Sequence, residues 1–181
     1  MRRWIAAALL IATPALAPAG AIAQDDIVDR IISVPVPAEY RIEGVRNARV
    51  RSDDSVQGGK ALRVPVPGRS DQPWTVQLSV PITRAVQAGD ALILAFWARL
   101  ERGEDGATSA TLPYNSVQLA AEPYTALFSG PATIGPEWAM HEIRGRADRA
   151  YAEGALNVSL HLATGRQTVD IGPVFVLNMG Q

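Results

Sequence analysis

Three segments of this chain alternate apolar and polar residues at period two, which favours sheet over helix. From Asp90 to Arg99, Leu92, Leu94, Phe96 and Ala98 face one way, and Ile93, Ala95, Trp97 and Arg99 face the other. From Trp74 to Val80 the polar set is Thr75, Gln77 and Ser79. From Leu156 to Leu162, Asn157, Ser159 and His161 oppose an all-aliphatic face. After the first 23 residues, no run of ten or more keeps a helical period. Further strand candidates lie at 47–51, 60–66, 107–112, 115–120, 124–128, 138–144, 167–171 and 174–177. About eight to ten short strands at regular spacing predict an antiparallel, all-β sandwich or barrel, and 15 Gly and 13 Pro supply the turns between them. Parity names the core: Leu62, Val64, Leu92, Leu94, Phe96, Leu156, Val158, Leu160 and Ile171.

The first residues follow another logic. Arg2 and Arg3 precede the apolar run Trp4 to Ala12, and Ala21-Ile22-Ala23 has the small-x-small form of a signal-peptidase site. Residues 1–23 therefore read as a signal peptide, giving a mature chain from Gln24 that is periplasmic or secreted. The apolar run is too short to span a bilayer. Residues 24–44, charged and carrying Pro35 and Pro37, read as a leader that only partly joins a single domain over 45–181.

Composition removes several functions. The chain has no cysteine, so disulfides, thiolate metal sites and cysteine nucleophiles are excluded. Losing Arg2 and Arg3 takes the net charge from −1 to −3, against the basic face that nucleic acid requires. The only adjacent acid pairs, Asp25-Asp26 and Asp53-Asp54, lie on a leader and a turn. Neighbouring acids on a loop cannot hold two carboxyl groups at a set separation across a sugar ring. The sequence has no nucleophile-elbow, zinc-protease or phosphate-loop motif.

What remains is chemistry suited to sugars. The C–H face of a pyranose stacks on an aromatic ring, and its hydroxyls pair with amides and imidazoles. Trp97, Tyr114, Gln77, Gln118, Asn157 and His161 are of that kind. Trp97, opposite Phe96 in parity, is expected to be the main platform of a cleft shared with Tyr114, Gln77, Gln118 and His161. Trp74 and Trp138, at strand starts beside Pro73 and Pro136, read as core plugs.

Several short motifs carry a family resemblance. Gly59-Lys-Ala-Leu-Arg-Val64, Pro73-Trp-Thr-Val-Gln77, Gly89 to Ala98, Trp138 opening a strand, and Val169-Asp-Ile-Gly-Pro-Val174 span most of the mature chain. Together they resemble the jelly-roll carbohydrate-binding modules of families four, nine and twenty-two. The resemblance implies a two-sheet jelly-roll β-sandwich of galactose-binding-like fold, often found beside plant-polysaccharide hydrolases. It implies Trp74 and Gln77 near a binding face with Trp97 on a neighbouring strand, and Asp170 as a ligand to a structural calcium. The acidic residue such modules often offer from the first strand has no clear match, Glu39 and Glu43 being the candidates.

The expected function is a secreted, non-catalytic protein that binds a plant-type polysaccharide, xylan or β-glucan, alongside a glycoside hydrolase. Two other functions fit a jelly roll: an envelope interaction protein docking a partner on its sheet, and a small hydrolase with two convergent carboxyls.

Overall fold

A computed structural model describes residues 27–181, so the expected signal peptide and cleavage point lie outside the described residues. Ten strands follow in order: β1 Arg41–Glu43, β2 Arg49–Ser52, β3 Lys60–Val66, β4 Gln77–Pro81, β5 Ala91–Arg102, β6 Ala110–Leu119, β7 Ala126–Ile134, β8 Ala139–Arg146, β9 Leu156–His161 and β10 Gln167–Asn178. They form two five-stranded antiparallel sheets, ordered β1-β4-β9-β6-β7 and β2-β3-β10-β5-β8. The fold is the expected antiparallel jelly-roll sandwich. Among the described residues, no helix is long and apolar enough to cross a membrane.

Parity decides which side chains meet between the sheets. All nine predicted core residues are buried, joined by Leu78, Val80, Val117, Val174 and Val176. The first sheet thus directs Gln77, Ser79, Asn157, Ser159 and His161 away from the core, and the second directs Trp97 and Arg99 away on the opposite side of the molecule.

Two pairs of predicted strands are each one strand. β6 runs through Pro113 with a register shift between Leu112 and Asn115, and β10 runs through Gly172-Pro173 with another between Ile171 and Val174. The turn residues mark bulges, where proline's missing N–H does not interrupt the ladder. The β10 bulge is tightly held. A Cβ on Gly172 would stand 2.9 Å from Trp97 Cβ and 2.8 Å from Val56 Cγ2. Buried Tyr40 donates its hydroxyl to Gly172 O at 3.2 Å and accepts from Val174 N at 2.8 Å.

Residues 31–43, read from sequence as part of a leader, pack into the sandwich. Ile31 bridges Leu177 and Ser33 bridges Ile82. Ser33 Oγ donates to Val174 O and accepts from Val176 N. This segment occupies the edge of β10 beyond the point where β3 ends, then continues into β1 against β4. Its prolines and charges hid that placement, because the pairing consists of isolated bridges and a three-residue strand with no alternation to read.

Candidate groove on the first sheet

The outward face of the first sheet carries a groove of about 1010 Å³. That size is at the upper end for small-molecule sites, which run about 300–1,000 Å³. Strand register arranges its residues in rows across the sheet. One row is built on Glu43, Gln77 and His161, with Cα partners Glu43–Gln77 and Gln77–His161. The next runs Arg41–Ser79–Ser159–Ser116–Ser129. A third contains Pro81, Asn157 and Gln118. Serines fill the row between those of larger side chains; of them Ser79 lines the groove, while Ser116 and Ser159 are fully buried.

Aromatic rings stand at the groove. Trp74, in a short 3-10 turn ahead of β4, is 50% exposed. His161 lies between Trp74 and Tyr114: the Tyr114 ring is stacked on it at 4.6 Å and 24°, and Trp74 is tilted at 6.1 Å and 56°. Tyr124, 52% exposed, enters from the β6–β7 connection at a φ of 54°. That left-handed backbone is uncommon for a bulky side chain. The charged lining, Glu39, Arg41 and Glu43, comes from β1 and the turn before it.

Polar contacts along this face are short in range. Gln77 Nε2 donates to Ser79 Oγ at 3.0 Å, and Ser116 Oγ donates to Gln118 Oε1 at 3.0 Å. Asn157 Oδ1 and Ser159 Oγ are buried and have no hydrogen-bond partner. An unmet buried polar group costs about 1–3 kcal/mol, so these two atoms are where a partner would gain most.

His161 is 9% exposed, and burial pushes its imidazole down to about 4. It is neutral at pH 7, with one ring nitrogen to donate and one to accept. As pH falls below about 6.5, the unfolded chain takes up a proton that the folded imidazole refuses, so stability drops until about pH 4 and then levels. Wild type is expected to lose about 2–3 kcal/mol more than His161→Gln between pH 7.5 and 4.5, measured by urea denaturation at both pH values. An equal loss in the two proteins would place the titration elsewhere.

The structure brings together Gln77, Tyr114, Gln118 and His161, with Asn157 beside them. It does not bring Trp97. That residue lies on β5 in the other sheet, paired with Met140, and its indole N–H donates to Gln57 Oε1 at 3.1 Å. Trp74 takes its place at the groove, so it is not a core plug. Parity had required only that Trp97 point away from Phe96, a condition that either outer face meets. Trp138 is half-buried on the far face, with the Arg99 guanidinium 5.0 Å from its ring centroid. The family resemblance, which implied Trp74 near a binding face with Gln77, was the available clue to Trp74.

Asp170 does not fit a calcium site. Its side chain is 0% exposed. Oδ1 accepts from Arg63 Nε at 2.7 Å, and Oδ2 accepts from Arg63 Nη2 at 2.8 Å and Arg99 Nε at 3.0 Å. Calcium needs six to eight oxygen ligands, whereas this carboxylate is already neutralised by two cations. Register explains it, since Arg63 and Arg99 are its Cα partners on β3 and β5. Among the described residues, no three His, Asp or Glu side chains converge on a possible metal position.

No family model and no curated protein matches the sequence. Solved structures do match in fold. The second N-terminal cellulose-binding domain of Cellulomonas fimi β-1,4-glucanase C superposes with a TM-score of 0.59 at 18% identity, covering 86% of this chain and 95% of that one. The CBM22-1 xylan-binding domain from Paenibacillus barcinonensis Xyn10C gives 0.54 at 11%, covering 78% and 86%. A family 4 carbohydrate-binding module gives 0.55 at 14%, covering 78% and 96%. The chain shares the jelly-roll fold of family 4 and family 22 modules.

Proposed function

We propose that this is a non-catalytic carbohydrate-binding protein whose groove holds a segment of plant-type polysaccharide, xylan or β-glucan. The observation that carries the reading is the half-exposed indole of Trp74 beside the amides of Gln77, Gln118 and Asn157 in an open groove. A pyranose laid on Trp74 covers the ring with its C–H face and turns its hydroxyls toward those amides and the neutral His161. Tyr124 offers a second aromatic surface for a neighbouring sugar unit. No bond is made or broken. Glycoside hydrolysis needs carboxyl groups flanking the scissile bond, and the two that line the groove, Glu39 and Glu43, come from adjoining elements.

The basic and apolar start of the chain supports export to the periplasm or beyond, where such polysaccharides are met, and a polysaccharide hydrolase is the natural companion. Affinity gel electrophoresis tests the reading. Mobility is expected to fall in gels containing soluble xylan or mixed-linkage glucan. Unchanged mobility across a broad polysaccharide panel would overturn it.

A further inference from the structure

We infer that the groove recognises an acetyl substituent on its polysaccharide, held at the corner where β6 and β9 meet the β6–β7 connection. The inference rests on the sugar-binding reading of the groove and names the decoration of its ligand. Asn157 and Gln118 are Cα partners on β9 and β6, with Pro81 of β4 on the other side of Asn157. Directly opposed side chains on one sheet face start about 5 Å apart, so the two carboxamides are neighbours. Their orientations agree. Gln118 spends its carbonyl on the Ser116 hydroxyl, and the Asn157 carbonyl is buried. Both side chains line the groove, and among the described residues neither amide nitrogen is buried or has a partner. The pair therefore offers the groove N–H donors and no acceptor.

Around these donors the lining is apolar. Pro81 borders Asn157, and Ala120, Pro123 and Tyr124 follow beyond Gln118, all four of them exposed. Elsewhere the groove has the opposite sense. Gln77 spends its amide nitrogen on Ser79 and keeps its carbonyl, and Glu39 and Glu43 add carboxylates. Sugar hydroxyls, which donate as well as accept, suit that part. The corner instead selects a group that only accepts and that carries apolar surface. An acetyl group has both. Its carbonyl oxygen has two lone pairs for Asn157 Nδ2 and Gln118 Nε2, and its methyl lies against Pro81, Ala120 and Tyr124. A uronate carboxylate also only accepts, but it calls for a cation, and the guanidinium of the groove, Arg41, stands on β1, two strands from β9. O-acetyl esters on xylan and acetamides on amino sugars share the acetyl chemistry, and a site built to pair a carbonyl rejects the analogue without one.

Calorimetric titration with two matched pairs of ligands tests this: acetylated xylo-oligosaccharides against the same sample after alkaline deacetylation, and N-acetylchitohexaose against cellohexaose. Wild type is expected to bind the acetylated xylo-oligosaccharides at least fivefold more tightly than the deacetylated ones. Asn157→Ala removes one donor, and Ala120→Leu fills the place of the methyl. Each should bring that ratio within about twofold. Ala120 is exposed just past β6, so its variant should keep the wild-type melting temperature, and the test stands even where Asn157→Ala fails to fold. A preference for N-acetylchitohexaose over cellohexaose, lost in the same variants, would support the acetyl site with an acetamide as its source. Equal wild-type affinity within both pairs would overturn the inference and leave the sugar-binding reading standing. A preference that survives both substitutions in folded protein would overturn it too. Failure of wild type to bind any of the four ligands would overturn the sugar-binding reading, and this inference with it.

Discussion

Replacing Trp74 by alanine is expected to weaken polysaccharide binding at least tenfold and to leave the unfolding transition nearly in place. The indole is half exposed in a short turn outside the core, so less packing depends on it than on a buried ring. An aromatic ring buries about 150–250 Å² when fully covered, and its pairing adds about 0.5–1.5 kcal/mol beyond area. A tenfold loss corresponds to about 1.4 kcal/mol, which covering the exposed half of the ring readily exceeds. The same substitution at Trp97 should leave binding unchanged, because that ring lies on the opposite sheet. Titration calorimetry and thermal melting on the two variants check both halves. Binding lost in Trp97→Ala but kept in Trp74→Ala would refute the assignment.

That contrast also shows where sequence reading stops. Alternation separated core from surface residue by residue, because burial on one face of a strand leaves the other face no choice. It placed Leu92, Leu94 and Phe96 inside and Gln77, Asn157 and His161 outside, and all of them lie where parity puts them. Parity carries no information about which of two outer faces a strand presents. That depends on strand order, which is fixed by pairings between residues far apart in the chain, such as Gln118 with Asn157 and Asp170 with Arg63. Gln77, Gln118 and His161 came together because β4, β9 and β6 are neighbours, and Trp97 was separated because β5 belongs to the other sheet. The serine row was invisible for the same reason. Four serines on four strands share a row only once register aligns them.

Asp170→Ala is expected to cost about 3 kcal/mol of stability, the lower end of the 3–5 kcal/mol seen when one partner of a buried ion pair is removed. Two guanidinium groups would lose their shared carboxylate. The lower figure applies because Arg63 keeps Glu101 at 2.6 Å and Arg99 keeps Asp53 and Glu101, each at 3.1 Å. Urea denaturation measures the loss, and adding a chelator to wild type should leave the transition unmoved. If chelation lowers the transition as far as the substitution does, Asp170 serves a metal and the ion-pair account fails.

The two central strands, β9 and β10, are also the last two of the ten described. During synthesis, β4 and β6 wait for β9, and β3 and β5 wait for β10, so neither sheet has a middle until those two strands arrive. A shortened chain would hold pairs of strands with open edges rather than a smaller sandwich. Contacts this distant in sequence form slowly, because loop closure must precede any gain from pairing. Such an order delays closure of the sandwich until β9 and β10 have both been made.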